Sequence, residues 1–315
     1  MTTLENATIG DDTVRTFTKD GSRPPWMEKP HPVTQALKFI VLAFAVAVVL
    51  VPFWSVIATS LADQRTINAA GGGMVMWPGG ISLDAYQAVL SGGVVTRAVV
   101  ISVTITVVGT LLSLAATAGL AYWLSRPRAW GSKPVLMLVL GAVLFSPGLI
   151  PSYLVVKEFH LLDSYWSLVL PVLVNAFNVI VMRAFFQELP KELFESAAID
   201  GVGAGTVLLR IVLPLSKAVL AVIGLFYAVA YWNAFFNALL YIQSSEKWPM
   251  ALVLRTYVVN QTTIGGDQVS SGEALPPQLP LQMAILVIAI VPILLVYPFL
   301  QRHFAKGVMI GAVKG

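Results

Sequence analysis

Cysteine is absent from this chain of 315 residues, and charged residues make up only 11% of it. Without cysteine, the chain has no disulfide, no thiolate metal site and no thiol nucleophile. Soluble globular proteins carry charge on about a quarter of their residues, so this chain has too little charge to cover a soluble surface. With 57% hydrophobic residues and a mean hydropathy of +0.79, the composition predicts a protein that crosses a membrane several times.

Groups that carry out chemistry are scarce as well. The three histidines, His31, His160 and His303, have no carboxylate at ligand spacing, so we expect no metal site. The glycine-rich residues 201–206 lack the Gly-Lys-Ser/Thr of a phosphate-binding loop, so we do not expect this chain to bind ATP. No paired acids or His-Glu constellation lie within an apolar run, which argues against an intramembrane enzyme.

Six apolar runs are long enough to span a bilayer, which needs about 20 residues of helix. They cover residues 36–60, 94–124, 135–157, 165–187, 212–243 and 281–301. Lys and Arg are dense in the N-terminal tail and in every second loop after it, which places both termini in the cytoplasm by the positive-inside rule. We predict an all-α membrane protein with a mobile tail (1–35), six transmembrane helices (36–303) and a cytoplasmic C-terminal tail (304–315).

Three features of these runs leave alternatives open. A cleavable signal peptide competes for the first run, but that run exceeds the usual apolar core of about 7–15 residues. Pro147 and Pro151 interrupt the third run, either as a helix end near the outer surface or as a break lined by protein or water. The external loop 244–280 is long enough to be either functional or disordered, and contact with an extracellular binding protein is one hypothesis for it.

A polar stretch between the fourth and fifth runs predicts an elbow. Pro190 stands at a favoured position in the first turn of a helix. Apolar side chains around it recur at helical spacing on one face: Leu189, Leu193, Phe194 and Ala197. Gly201 then permits a positive φ and a sharp turn, after which a second helix leads through Pro214 into the fifth run. An amphipathic helix on the membrane surface is the simpler alternative.

The spacing within this elbow resembles the EAA loop of ABC importer permeases, in which Glu-Ala-Ala, three residues, Gly, nine residues and Ile-x-Leu-Pro follow one another. The matching residues are Glu195-Ser196-Ala197-Ala198-Ile199-Asp200-Gly201 and Ile211-Val212-Leu213-Pro214. Ser196 replaces the first Ala of the pattern, and both residues are small.

The resemblance extends over nearly the whole chain from about residue 35. Four further segments resemble the maltose-type sugar permeases: Val51-Pro52-Phe53-Trp54, Leu149-Ile150-Pro151-Ser152-Tyr153, Tyr231-Trp232-Asn233 and the C-terminal residues 301–315. Within that group the chain is most similar to permeases for complex oligosaccharides in Gram-positive bacteria.

The resemblance implies the type I ABC importer permease fold, with a cytoplasmic coupling helix in an elbow of about 188–214. It implies a cell-membrane complex with a second permease, two ATPase subunits that hold Mg-ATP, and an extracellular sugar-binding lipoprotein. This chain would translocate a sugar or oligosaccharide, hold no cofactor and catalyse no reaction. The residues implied in ATPase coupling are Leu193, Phe194, Glu195, Ser196, Ala197, Ala198, Asp200, Gly201, Ile211, Leu213, Pro214, Lys306 and Lys314.

Two other functions remain open at this point. The same permease machinery serves non-sugar solutes such as peptides or phosphate in other systems. An ion-coupled secondary transporter would need inverted repeats or intramembrane ionisable groups, and we find neither in the sequence.

Polar side chains within two runs suggest where a solute passes. Amides and aromatic rings suit the hydroxyls and apolar ring faces of sugars, and polar residues within a span face the bundle or a wet cavity. We predict a substrate pathway lined by Asn175, Asn178, Tyr231, Trp232, Asn233 and Asn237. The alternative is that these side chains join one helix to another.

Overall fold

The computed structural model describes residues 32–312 except residues 92, 127–128, 146 and 261–277, and it describes side chains only as far as residue 296. Every regular element in this part is a helix, and a single antiparallel bridge joins Ala62 to Ile81. The predicted all-α class is therefore confirmed. The chain divides into two compact units, Met1–Pro52 and Phe53–Gly315. The predicted tail up to residue 31 lies outside the described residues.

The first two predicted spans are continuous helices. The bounds are α1 Pro32–Ser60, α2 Gln64–Ala69, α3 Asp84–Leu90 and α4 Val94–Ser125. Asp63 caps the short helix α2, since its carboxylate accepts a hydrogen bond from the Thr66 backbone amide at 2.9 Å. Such a side-chain cap satisfies one of the amides left free in the first turn of a helix. Helices α1 and α4 agree closely with the first two predicted runs.

The third predicted run is interrupted where its prolines stand. Helix α5 covers Ser132–Leu144 and α6 covers Leu149–Glu158. Gly148 lies between them with a φ of 82°, a conformation that favours glycine. The predicted interruption is thus present, because proline lacks the amide that would continue the helical ladder. A helix end near the outer surface and a break lined by protein or water both remain predictions for it.

The fourth predicted run is bent within its length. Helix α7 (Trp166–Val169) continues as the 3₁₀ turn Leu170–Val172, and α8 begins at Ala176 and ends at Gln187. The two parts differ in direction by 51°. Asn175 caps α8, since its side-chain oxygen accepts a hydrogen bond from the Asn178 amide at 3.2 Å. Asn175 therefore fixes where the second helix of the bent run begins.

The predicted elbow and the fifth run form a chain of short helices. Their bounds are α9 Lys191–Ile199, α10 Ala204–Val207, a π-helical turn Leu208–Val212, α11 Leu213–Leu215, α12 Lys217–Trp232 and α13 Phe235–Tyr241. Between Ala204–Leu215 and α12 the chain turns by 88°. We predicted a span that starts at residue 212, whereas the helix that follows the turn starts at Lys217.

The last part of the described chain contains two more helices. They are α14 Met250–Leu254, which continues as the π-helical turn Arg255–Val259, and α15 Gln278–Ala312. The loop predicted over residues 244–280 is thus partly helical. Its residues 261–277 lie outside the described part of the chain.

Among the described residues, three helices are long and apolar enough to cross a membrane, and each of two bent pairs would add one more span. The bent pairs are Trp166–Val172 with Ala176–Gln187 and Ala204–Leu215 with Lys217–Trp232. The predicted number of six spans and the cytoplasmic position of both termini therefore remain predictions.

Helix α4 forms the centre of the main core, where it packs against α8 and α12. Met182 of α8 and Ile223 of α12 are fully buried there. Gly109 of α4 allows a close approach to α12, since a Cβ atom at this position would lie 2.8 Å from the Tyr231 ring. Small residues at such contacts let two apolar helices come together.

Candidate coupling elbow and substrate cavity

The coupling helix predicted from the sequence is α9. It starts directly after Pro190, and Glu192 places a negative charge in the first turn, where the helix dipole is positive. Ser196, the departure from the EAA pattern, donates its hydroxyl to the Glu192 carbonyl at 2.8 Å. Because that bond lies within the helix, serine in place of alanine changes the surface shape of α9 little.

Gly201 ends α9 in the predicted left-handed conformation, with a φ of 67°. Its amide donates to the Ala198 carbonyl at 3.2 Å, and the Val202 amide donates to the Ala197 carbonyl at 2.9 Å. This pair of bonds is a Schellman motif, which satisfies carbonyls at a helix end and reverses the chain there. A side chain at position 201 would meet no atom within 4 Å, so the requirement for glycine comes from the backbone angle.

One face of α9 is open to its surroundings. Glu195, Ser196, Ala198 and Asp200 are all exposed. Ile199 is 87% exposed and was absent from the predicted set. It lies one turn after Glu195, so a carboxylate and a large apolar side chain stand side by side on this face. The sequence could have indicated this exposure, because Ile199 lies on the side of the helix opposite Ala197.

The other face of the elbow attaches to the core. Ala197 is the buried residue of α9, and Leu193 and Phe194 are half-buried beside it. Further along, Val207 and Val212 are buried. The predicted coupling residues Ile211 and Leu213 are half-buried, whereas Pro214 is exposed. The elbow therefore has distinct inner and outer faces.

A basic residue that the sequence reasoning did not select touches the elbow. Arg126 directly follows α4, and its guanidinium carbon lies 5.4 Å from the Phe194 ring centroid and 4.5 Å from the Tyr122 ring centroid. Both distances are within the range of cation–π attraction. Arg183 of α8 reaches the same end of α4, where its Nε donates to the Leu124 carbonyl at 3.0 Å.

Two predicted coupling residues cannot be placed against this site. The side chain of Lys306 and the whole of Lys314 lie outside the described part of the chain. Their predicted contact with the ATPase subunits therefore remains a prediction.

A cavity of about 320 Å³ lies where the bent fourth run meets α12. Its volume is at the lower end of the roughly 300–1,000 Å³ common for small-molecule sites. The lining residues are Val172, Asn175, Phe177, Asn178, Phe226, Tyr227, Ala230 and Tyr231. Three residues of the predicted substrate pathway, Asn175, Asn178 and Tyr231, are therefore brought together, and the described lining carries no charged side chain.

Two tyrosines of α12 connect this cavity to α4. The Tyr227 hydroxyl accepts a hydrogen bond from the backbone amide of Asn175 at 2.9 Å and lies 2.7 Å from the Thr117 hydroxyl. The Tyr231 hydroxyl lies 2.8 Å from the Ser113 hydroxyl and donates to the Val169 carbonyl at 3.4 Å. Each tyrosine thus meets a backbone group of the bent run and a hydroxyl of α4.

The other half of the predicted pathway is arranged differently. Asn233 and Asn237 were expected one turn apart on a single helix, but α12 ends at Trp232 and α13 begins at Phe235. Asn233 donates its side-chain amide to the Val229 carbonyl of its own helix at 2.9 Å. Trp232, Asn233 and Asn237 do not belong to the cavity lining, so the structure does not bring them to Asn175 and Asn178.

A polar clamp joins two loops on another part of the molecule. The carboxylate of Asp163 accepts hydrogen bonds from the Gln243 and Ser244 amides at 3.1 and 2.9 Å, and from the Ser244 hydroxyl at 2.7 Å. Lys247 pairs with the same carboxylate at 2.7 Å. The pKa of Asp163 is held well below its usual range, mainly by the Lys247 ammonium group and next by the Ser244 donors.

Within the described residues, no group of three or more His, Asp or Glu side chains is placed to hold a metal ion. The polar atoms at the cavity are instead amides, hydroxyls and backbone groups. Such groups can donate and accept hydrogen bonds to a polar, uncharged solute.

Several known transport proteins are similar to this chain. Residues 112–310 match the model of the family described as "Binding-protein-dependent transport system inner membrane component". The chain is 44% identical over 275 residues to the polygalacturonan/rhamnogalacturonan transport system permease protein YtcP of Bacillus subtilis (strain 168), a match that covers 87% of this chain and 95% of YtcP. It is 48% identical over 271 residues to protein LplC of the same strain, covering 85% of this chain and 90% of LplC.

A solved structure shows the same architecture. It belongs to a bacterial ABC transporter involved in the import of the acidic polysaccharide alginate, and the TM-score is 0.79 at 26% identity. The match covers 89% of this chain and 100% of the solved chain. The predicted fold class, an ABC importer permease, is confirmed at this level. The chain belongs to the family of binding-protein-dependent transport system inner membrane components.

Proposed function

We propose that this chain is a permease subunit of an ATP-driven importer, and that it moves a sugar or oligosaccharide delivered by an extracellular binding protein across the cell membrane. Membership of the permease family supports the transport role. Its relatives include a polygalacturonan/rhamnogalacturonan permease at 44% identity and arabinooligosaccharide permeases at 25–26% identity, which supports a carbohydrate as the solute.

The observation that carries the coupling role is the geometry of the elbow. An exposed helix, α9, is closed by Gly201 and followed by helical residues that meet α12 at 88°. A force on α9 therefore reaches α12 through a short helical connection rather than through a long loop. Since α12 carries Tyr227 and Tyr231 at the cavity, such a force would act on the cavity wall.

The docking partner proposed for α9 is an ATPase subunit. Glu195 is exposed and would pair with a basic side chain of that subunit, while the exposed Ile199 would enter an apolar part of the same cleft. The ATPase subunits would hold Mg-ATP and hydrolyse it, and this chain would supply no catalytic group. A complete importer would contain two ATPases, a second permease and a sugar-binding lipoprotein.

The described cavity suits a sugar on chemical grounds. The side-chain amides of Asn175 and Asn178 can bond a sugar hydroxyl, and two phenylalanines offer apolar contact for a ring face. The two tyrosine hydroxyls are held in bonds within the protein and shape the cavity wall. A phosphate or a charged peptide would find no cationic side chain in the described lining. This cavity therefore offers hydrogen bonds and ring contacts to a sugar, and no charge pairing.

The proposed membrane arrangement follows the sequence prediction of six spans with both termini in the cytoplasm. Apolar helices and family membership support a position in the cell membrane. The Bacillus relatives support a Gram-positive source.

Uptake by purified complexes in proteoliposomes tests this function. The chain is co-expressed with its neighbouring ATPase, permease and binding-protein genes, and accumulation of labelled oligogalacturonides and arabino-oligosaccharides is measured with ATP supplied to the ATPase side. We expect accumulation that needs both ATP and the binding protein. Accumulation that continues with an inactive ATPase and stops when the ion gradient is collapsed would instead identify a secondary transporter.

A variant pair tests the cavity. Asn178 lines it, whereas Asn237 lies on α13 away from it. Asn178→Ala is expected to raise the KM for uptake of the transported sugar, because the site loses an amide that can bond a hydroxyl. Asn237→Ala, the matched control, is expected to leave the KM unchanged. Equal effects of the two changes would remove the cavity from the proposed pathway.

A further inference from the structure

The contact between Arg126 and the elbow has an unusual composition. The Nε and Nη2 atoms of Arg126 are buried and have no hydrogen-bond partner among the described residues, and the same holds for the hydroxyl of Tyr122. A guanidinium carries five N–H donors, and burial of an unpaired donor costs free energy. The described partners of this cation are the faces of two aromatic rings, Tyr122 and Phe194.

This stack of Tyr122, Arg126 and Phe194 joins two elements that otherwise touch little. Ala197 is the buried residue of α9, and Phe194 is half-buried. Phe194 meets the guanidinium that directly follows α4. The contact of Phe194 with Arg126 therefore adds to the packing of Ala197 in holding α9 beside the core.

At its other contacts, α4 reaches the cavity. Thr117 and Ser113, which precede Tyr122 by about one and a half and two and a half turns, meet the hydroxyls of Tyr227 and Tyr231. Both tyrosines line the cavity. Helix α4 thus carries the stack at its C-terminal end and the tyrosine contacts in its middle, and a helix transmits displacement along its axis as a stiff element.

We propose that the Tyr122–Arg126–Phe194 stack positions the coupling helix α9 against α4, so that movement of the elbow reaches the cavity through α4 as well as through α12. This inference rests on the proposed function, because an elbow moves in this way only when an ATPase drives it. Arg126 acts here as a positioning residue: the stack sets where α9 lies, and it contacts neither nucleotide nor solute. A planar cation between aromatic faces has a preferred orientation that an aliphatic contact lacks.

The test compares Arg126→Leu, Phe194→Leu and the double variant in the complete importer in proteoliposomes. The quantity measured is the number of solute molecules taken up per ATP hydrolysed. We expect assembled complexes that hydrolyse ATP while uptake per ATP falls about three- to thirty-fold. The double variant should fall no further than the single variants, because both changes remove the same contact. Arg126→Lys, which keeps the charge, should recover part of the loss.

Arg97→Leu is the matched control. Arg97 is an exposed arginine near the opposite end of α4, and we expect uptake per ATP to stay at the wild-type value. Normal uptake per ATP in Arg126→Leu and Phe194→Leu would overturn the proposal. Additive losses in the double variant would also overturn it, since they would show two independent contacts.

Two other outcomes are distinguished by co-purification. If neither Arg126→Leu nor Phe194→Leu assembles with the partner subunits, the stack is a folding element and the positioning proposal is wrong. If the wild-type chain itself does not assemble with an ATPase, the proposed function fails. Assembly of Phe194→Leu alone is sufficient for the test, because that change leaves Arg126 against Tyr122.

Discussion

The hydroxyl of Tyr227 lies 2.7 Å from the hydroxyl of Thr117, so α12 and α4 are joined by a buried hydrogen bond beside the cavity. The same Tyr227 oxygen accepts a hydrogen bond from the backbone amide of Asn175, which lies at the bend of the fourth run. One phenol therefore links three parts of the membrane domain. A group with these contacts is expected to matter both for stability and for the shape of the cavity wall.

Removal of this hydroxyl gives the first prediction. Tyr227→Phe leaves the Asn175 amide and the Thr117 hydroxyl without their bond, and loss of such buried bonds costs about 1–3 kcal/mol. We expect a lower thermal unfolding temperature for the purified complex, measured by the loss of monodisperse protein on heating. Thr117→Val should lower it too, and the double variant should lower it by less than the sum of the two. Full additivity would show that the two hydroxyls act separately.

The close contact of α4 and α12 at Gly109 gives the second prediction. A methyl group there would lie 2.8 Å from the Tyr231 ring, so the ring or the helix must move. Overpacking of this kind costs about 1–3 kcal/mol, and we expect Gly109→Ala to lower the thermal stability of the complex. Gly119→Ala is the control, since a Cβ at this position of the same helix meets nothing within 4 Å. Equal stability of the two variants would contradict the observed packing.

The turn after the coupling helix gives the third prediction. Gly201→Pro fixes a negative φ and removes the amide that donates to Ala198, so the Schellman turn cannot form. We expect uptake to be abolished while the chain still reaches the membrane, as shown by labelled transport beside membrane immunoblots. Gly203→Ala is the control, because Gly203 has ordinary backbone angles and open space at its Cβ. Survival of uptake in Gly201→Pro would refute the role of this turn.

The Asp163 clamp gives the fourth prediction, a dependence on pH. The pKa of Asp163 is depressed in the folded protein by Lys247 and Ser244, whereas an aspartate in an unfolded chain titrates near 3.9. The clamp therefore stabilises the protein fully above about pH 4, and its contribution is lost as the pH falls further. We expect proteolysis of the loop around Lys247 to increase in wild type below that pH.

Substitution separates the clamp from general acid damage. Asp163→Asn keeps the size of the side chain but removes the charge, so its loop should be cleaved at neutral pH about as fast as the wild-type loop in acid. Lys247→Met should give part of the same effect. A neutral-pH cleavage rate for Asp163→Asn equal to that of wild type would show that the clamp does not hold the loop.

The backbone chemistry of the elbow made it predictable from sequence. Pro190, the apolar spacing of Leu193 and Ala197, and Gly201 each act locally, within one or two turns of helix. In the structure, α9 starts directly after Pro190, and Gly201 has a positive φ, as these residues predict. The right-angle turn at Ser216 was not predicted, because Pro214 marks a weak point in the helix but its neighbours decide the direction of the bend.

The candidate cavity was only half predictable. Asn175, Asn178 and Tyr231 were selected because polar groups within a span need partners, and they do line one cavity. Asn233 and Asn237 were selected on the same ground, but their shared helical face depended on an unbroken helix. Arg126 was missed because its partner Phe194 is distant in the sequence, and its position after an apolar run suggested an ordinary loop cation.

In the proposed importer, this chain receives force from an ATPase subunit through the exposed face of α9. Co-purification from native membranes tests it most directly, with the wild-type chain, Glu195→Lys, and the control Glu158→Lys, which reverses an exposed charge at the end of α6. We expect wild type and Glu158→Lys to bring down an ATPase and a second permease, while Glu195→Lys keeps the permease and loses the ATPase. A wild-type chain that purifies without any ATPase, or a Glu195→Lys chain that retains it fully, would show that α9 is not the docking site of an ATPase.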